Sequence, residues 1–193
     1  MIRDILSCSA PILNTPTQKF DFQDPPMNPA ELANDLIETM IKYKGIGLAA
    51  NQVGLPYSVF ALYSEQPLVL FNPRIVDTST ETVLLEEGCL SRPNFFVKIK
   101  RPAFIRIRYT KHTGETVTEK FIGMTARCIQ HELDHLNGVD YTTRANRIHY
   151  ERAARQEKNR NRKLKRTLEG TVDELYKLSR ALPRKLGDEI VEN

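Results

Sequence analysis

The chain has 193 residues, of which 40% are hydrophobic and 27% charged, so it can bury one good core and carries the ordinary charge of a soluble protein with one domain and an appendage. No apolar run approaches a membrane span, and Met1-Ile2-Arg3-Asp4-Ile5-Leu6 has neither a signal-peptide core nor an acid-free targeting helix, so no membrane partner and a cytoplasmic location are expected. Three cysteines, Cys8, Cys89 and Cys128, without a secretory signal argue against a disulfide framework and leave thiols for metal or core.

Residues 1–26 mix an apolar start with prolines and turn formers, and predict an irregular wrap over the core. Asn28-Pro29-Ala30-Glu31 starts a helix: an Asn cap, proline at the first position and an acid in the first turn. Leu32, Leu36, Ile37 and Met40 recur at helical spacing, so the helix should run to about Lys44 and bury that stripe. Gly45-Ile46-Gly47-Leu48-Ala49-Ala50-Asn51-Gln52 follows. It matches a G-x-G-x-x-A dinucleotide fingerprint, but such a loop follows a strand and opens a helix, whereas this one follows a helix and precedes strand-like residues 57–63. What remains is a plain helix-to-strand loop, or glycines that let backbone run close to a ligand while Gln52 offers an amide donor.

Strand patterns then dominate: residues 67–71, 95–100, the alternating 105–109, and 116–121 after a turn at Thr113-Gly114. They predict half-exposed antiparallel sheet. His112, beside that turn, reads as a solvated hairpin residue. Glu86-Glu87-Gly88-Cys89-Leu90-Ser91 reads as a connection, and a lone cysteine there is either small core or a thiol turned toward a site.

The run Arg127-Cys128-Ile129-Gln130-His131-Glu132-Leu133-Asp134-His135-Leu136-Asn137-Gly138 carries two histidines four apart, with a glutamate after the first. Positions i and i+4 share a helix face, so both imidazoles can reach one ion while Glu132 stands beside it as a general base. Ile129, Leu133 and Leu136 supply a buried stripe, and Asn137-Gly138 a left-handed stop. With 4 histidines in 193 residues, a chance pair at this spacing is expected roughly 0.08 times, and requiring the glutamate cuts that further. The third ligand decides the chemistry. Metzincin proteases place a histidine three residues past the glycine, but here that position is Tyr141. A protease of another lineage would draw on Asp140, His149 or Glu151, and a closed structural zinc site would want four protein ligands.

Beyond this run the composition turns basic. From Arg144 to Arg166 there are ten lysines and arginines against two acids, a net +8 within a chain of +4, which leaves the remainder at −4. No apolar residue occurs over 155–163, so this stretch is a solvated helix, a disordered run of charge, or a segment ordered by a partner. Thr171-Val172-Asp173-Glu174 reads as a capping box that restarts a helix, with Leu175 and Leu178 packing it before Pro183 ends it.

Three stretches, Gly45-Ile46-Gly47-Leu48-Ala49-Ala50-Asn51-Gln52, Glu87-Gly88-Cys89-Leu90-Ser91 and Gln130-His131-Glu132-Leu133-Asp134-His135, together resemble the three signature motifs of the peptide deformylase family, in the family's order. The resemblance covers roughly residues 1–141. It implies an α+β fold, with antiparallel β-sheets packed around a central metal-binding helix, an N-terminal helix and a basic C-terminal helical extension. It divides the chain into a catalytic domain at 1–143 and an extension at 144–193. The implied reaction is removal of the N-formyl group from the initiator formyl-methionine of nascent chains, with release of formate. The resemblance makes Cys89, His131 and His135 the metal ligands, Glu132 the acid and base, and Gln52 with the Leu90 N–H the oxyanion donors. Backbone around Ile46, Gly47 and Gly88 would pair with substrate, and Ile46 and Cys128 would line the methionine pocket. One divalent ion is implied, ferrous iron by the family's habit, although zinc, nickel or cobalt suits the same ligands. Many bacterial members carry a basic C-terminal helix that docks on the ribosome. Lys44, where an acid is common, and Arg92-Pro93 depart from the pattern and bear on substrate preference.

Overall fold

Thirteen segments of regular structure order the chain in the computed structural model, which describes residues 1–64 and 66–181, with helical side chains followed to residue 174. Helix α1 (Pro29–Lys42) begins where the Asn28 side chain accepts the amides of Ala30 and Glu31, and it buries Leu32, Leu36 and Met40. Strands β1 (Gly47–Ala49), β2 (Val59–Leu62), β3 (Leu68–Thr78), β6 (Phe104–Thr110) and β7 (Thr116–Ile122) form an antiparallel sheet in the order β1-β2-β3-β6-β7. Strands β4 (Thr82–Cys89) and β5 (Arg92–Pro102) pair antiparallel in a second sheet. Helix α2 (Gly123–Leu136) and helix α3 (Arg147–Ala181) complete an α+β fold.

Period-two alternation sets the main sheet against its helix. On β6, Ile105, Ile107 and Tyr109 point inward while Arg106 and Arg108 face solvent, and the inward row joins Phe60, Leu70, Ile129 and Leu133 in one cluster. A second cluster joins α1 to β1 through Leu36, Met40, Leu48 and Phe71, with Phe20 of the N-terminal wrap stacked edge-on to Phe71. Two buried layers therefore flank β1 and hold it against α2.

Three expectations are corrected. Residues 47–49 form β1, not a loop: three residues are too few to show alternation, and this strand is buried on both faces. Residues 86–89 end a strand, and only Leu90-Ser91 turn into β5. Strand β4 escapes pattern reading because its first five residues are exposed whatever their polarity. Helix α3 does not restart at Thr171. It runs on through Gly170, and the Thr171 hydroxyl donates back to the Thr167 carbonyl (3.0 Å), an interior bond and not a cap. The Leu175 and Leu178 side chains and Pro183 lie outside the described residues.

By its contacts the chain divides into two units, residues 1–153 and 154–193. The first takes in the start of α3, where Ala153 is buried and the Tyr150 ring lies 5.8 Å from that of Phe95. No described helix is long and apolar enough to cross a membrane.

Candidate active site

Helix α2 is buried from Ala126 to Leu136, and six of those eleven residues are polar or charged. Each such group must find a partner or keep an unmet cost, so the pairings define the site. His131 and His135 stand on one face, and the end of β4 brings Cys89 to them. The three ligand atoms lie within 4.8 Å of one another, the one cluster of this kind among the described residues, with Cys89 Sγ 3.1 Å from His135 Nε2. Asp140, His149 and Glu151 are not in it. The third candidate ligand lies upstream of the helix, not downstream as the protease arrangement would require.

Glu132 differs from its neighbours. It is 3% exposed, and its Oε2 is buried with no described partner. Burial drives its carboxyl up to about 7, more than nearby His131 and the Ala49 amide pull it down. Such a group exchanges protons near neutral pH. Gly47 makes room for it, since a β-carbon there would collide with Glu132 Oε1 and with Cys128 Sγ. Burial likewise pushes the Cys128 thiol up, and it donates to the Ile46 carbonyl (3.3 Å).

Gln52 is aimed from the 3-10 turn after β1. Its Oε1 accepts the Ala49 amide (2.9 Å), which turns Nε2 toward Ser91 Oγ (3.1 Å) and Cys89 Sγ (3.5 Å). The sequence motif therefore delivers an amide donor to the cluster. Ile46, Gly47, Gln52, Gly88, Leu90 and Cys128 all line one cavity of about 850 Å³, together with Cys89, His131 and Glu132. Of the anticipated residues only His135 is not on its wall; it lies behind, in the cluster.

Sequence reasoning missed the carboxylate that holds His131. Glu87 Oε2 lies 3.1 Å from His131 Nδ1, and two arginines hold Glu87: Arg101 through both oxygens (2.7 and 2.8 Å) and Arg127 at Oε1 (2.8 Å). Burial raises the Glu87 carboxyl, but the hydrogen bonds from Arg101, His131 and Arg127 prevail and hold it at about 2. Arg101 reaches on to Asp134 (2.8 Å), which also pairs with Arg144 (2.9 Å). A signal existed: Phe95, Val97 and Ile99 alternate inward along β5, and Arg101 falls on the same parity, a charge at a core position. Burial lowers the His131 imidazolium, yet Cys89 and Glu87 raise it to about 10. Burial and the neighbouring His131 drop His135 to about 3. Glu87 thus fixes the orientation of the His131 ring through Nδ1.

A buried cluster of one sulfur and two imidazoles, with a carboxylate oxygen left without a partner at the head of a cavity, suits a hydrolase site with room for a metal ion. Comparison makes the class particular. The sequence model of the polypeptide deformylase family matches residues 2–151. A peptide deformylase of Phenylobacterium zucineum is 38% identical over 163 residues, 81% of this chain and 95% of that one. Among solved structures, the Synechococcus elongatus peptide deformylase in complex with actinonin superposes with a TM-score of 0.74 at 33% identity, covering 80% of this chain and 85% of that one. The Thermotoga maritima peptide deformylase gives 0.69 at 39% identity, over 76% and 99%. The chain belongs to the polypeptide deformylase family, and it is an enzyme that removes the formyl group from nascent peptides.

Proposed function

We propose that Cys89, His131 and His135 hold one divalent metal ion, that Glu132 is the catalytic acid and base, and that Gln52 and the Leu90 N–H stabilise the oxyanion. The observation that carries this is the convergence of three ligand atoms within 4.8 Å beside a buried carboxylate oxygen with no partner. One thiolate and two imidazoles are a donor set that would suit a divalent ion. When bound, the ion supplies Lewis acidity and lowers the pKa of water. Glu132 takes the proton of the attacking water and passes it to the departing amine, which suits a carboxyl raised to about 7. Charge growing on the formyl oxygen meets the Gln52 amide, already oriented by the Ala49 N–H. Formate and a free amino terminus leave.

The formyl-methionyl peptide lies extended in the cavity. Strand β1 has one partner, β2, and β4 has one, β5, so each keeps an edge for backbone pairing near Ile46, Gly47 and Gly88. The methionine side chain enters between Ile46 and Cys128. The working ion is ferrous iron, and zinc, nickel or cobalt can replace it. The enzyme acts in the cytoplasm, residues 1–143 carry the chemistry, and 144–193 form an extension whose basic stretch from Arg144 to Arg166 meets ribosomal RNA.

Cys89→Ala tests the ligand set. Metal content should fall to background while the fold, followed by circular dichroism, persists; a variant that retains a full equivalent of metal overturns the assignment. The iron form should lose activity in air while a nickel form persists. The loaded wild type should release amine from a formyl-methionyl dipeptide and spare the acetylated analogue.

A further inference from the structure

A second concave site lies beside β3 and β6, and none of its lining residues borders the catalytic cavity. It holds about 470 Å³ and collects three cations, Lys19, Arg74 and Arg108, with no acidic side chain on its wall. Outside residues 144–166 the chain is net −4, so three unopposed cations are not a sample of the average surface. Among the described residues no ion pair joins any of them to an acid.

The register sharpens the point. Arg74 on β3 and Arg108 on β6 are directly opposite one another in the ladder, where like charges destabilise an antiparallel pair. One repeat along, Arg106 stands between Lys120 of β7 and Asp77 of β3. Arg74 stands just after a register shift between Phe71 and Arg74, where Asn72 adopts φ +50°. That irregularity is held firmly: Asn72 donates to the Phe20 carbonyl (2.9 Å) and accepts the Phe20 amide (2.8 Å). Bulges of this kind re-aim the side chains that follow. Hydroxyls of Thr17, Ser58, Thr110 and Thr116 complete the wall.

We infer that this pocket is an oxyanion site that takes a phosphoryl group between Arg74 and Arg108, with Lys19 and one hydroxyl of the Thr110–Thr116 pair as further donors. The arginine forks suit phosphate oxygens, and a bound dianion turns the opposed pair from a repulsion into a bridge. Arg106 lies two residues along β6, about 7 Å away, where it would meet a neighbouring phosphate of the same ligand. The phosphoryl group belongs either to a free phosphate ester or to the backbone of RNA.

The test uses full-length, metal-loaded protein and the R74Q/R108Q double variant, both of which retain α3. Thermal melts are taken in inorganic phosphate and in chloride at matched ionic strength. Phosphate should raise the melting temperature of the wild type, and its apparent affinity should be about tenfold weaker in the double variant. In chloride the double variant should melt at or above the wild type, because a repulsion has been removed. Dipeptide deformylation should be equal in the two. Anisotropy of a labelled single-stranded RNA separates the sources. An equal loss of RNA affinity assigns the site to backbone phosphate, and unchanged RNA binding with a lost phosphate response assigns it to a free ester. Identical phosphate responses in the two proteins, or a double variant that melts lower in chloride, overturn the site.

Discussion

Helices α2 and α3 are both rich in polar residues, and they put them to opposite use. Along α2, Arg127 reaches Glu87, the Ile99 carbonyl and the Val83 carbonyl; Gln130 donates to the carbonyls of Pro102 and Ala126; Asp134 takes Arg101 and Arg144. Burial forces each of these choices, since a polar group taken from water without a partner costs on the order of 1–3 kcal/mol. Along α2, among the described residues, the one buried carboxylate oxygen with neither a hydrogen bond nor an ion pair is Glu132 Oε2, which fits its proposed part in the chemistry. From Arg155 to residue 174, by contrast, only Glu157 of α3 is even partly covered. Its charges make pairs such as Arg147–Glu151 (2.7 Å) and Lys165–Glu169 (3.8 Å), which are worth a few tenths of a kcal/mol at most in solvent. In α2 position dictates role. In α3 only composition speaks.

The sharpest way to break this contrast is at Glu132. Glu132→Gln keeps the shape and removes the proton carrier, so metal content by elemental analysis should stay near one per chain while kcat falls by about three or more powers of ten. Loss of metal in step with activity would make Glu132 a ligand and α2 a purely structural element.

Glu87→Gln comes next, and it separates pairing from chemistry. The neutral amide cannot balance Arg101 and Arg127, and it no longer fixes the Nδ1 proton of His131. Metal affinity should fall about 10- to 100-fold, with a stability loss on the order of 3 kcal/mol, read by chelator competition and denaturant melts. Unchanged metal affinity would reduce Glu87 to a brace.

The same carboxylate gives a pH signature. Its folded value of about 2 lies below the ordinary 4.5, so its stabilisation is fully present above pH 4.5 and is lost as pH falls through that value toward 2. About 3 kcal/mol should disappear over that window in the wild type and not in Glu87→Gln. Parallel acid melts of the two proteins would contradict the pairing.

What could be read in advance follows the same division. His131, Glu132 and His135 were legible because helix period and ligand chemistry coincide, and the cap at Asn28 because its hydrogen bonds are local. Cys89 and Gln52 needed the family resemblance, since the Cys89–His135 contact spans 46 residues and the Gln52 contacts with Cys89 and Ser91 span 37 and 39. Arg101 carried a parity signal that hydrophobicity alone hides. Strand β4 offered none, because its early residues are exposed on both sides. In α3, the Thr171-Val172-Asp173-Glu174 run suggested a restart that the backbone does not make, since a solvated helix has no packing to choose between the two.

The smallest effect on the body and the largest on its partners is expected from α3. A chain ending at Tyr141 would lose the Arg144–Asp134 pair, the Tyr150–Phe95 contact and the buried Ala153, so a fair truncation ends after Ala153. That protein should melt within a few degrees of the full chain, because the described residues it loses, 154–174, are almost all exposed, and it should keep its rate on a formyl-methionyl dipeptide. Seven of the ten basic residues of the 144–166 stretch leave with the deletion, from Arg155 onward. If these neutralise phosphates on ribosomal RNA, co-sedimentation with ribosomes should be strong for the full chain at low salt, fall steeply as salt rises, and be largely absent for the truncated form at any salt. Sedimentation that is the same for both proteins at low salt would leave α3 a solvated tail, and would move the ribosome contact, if there is one, to the body.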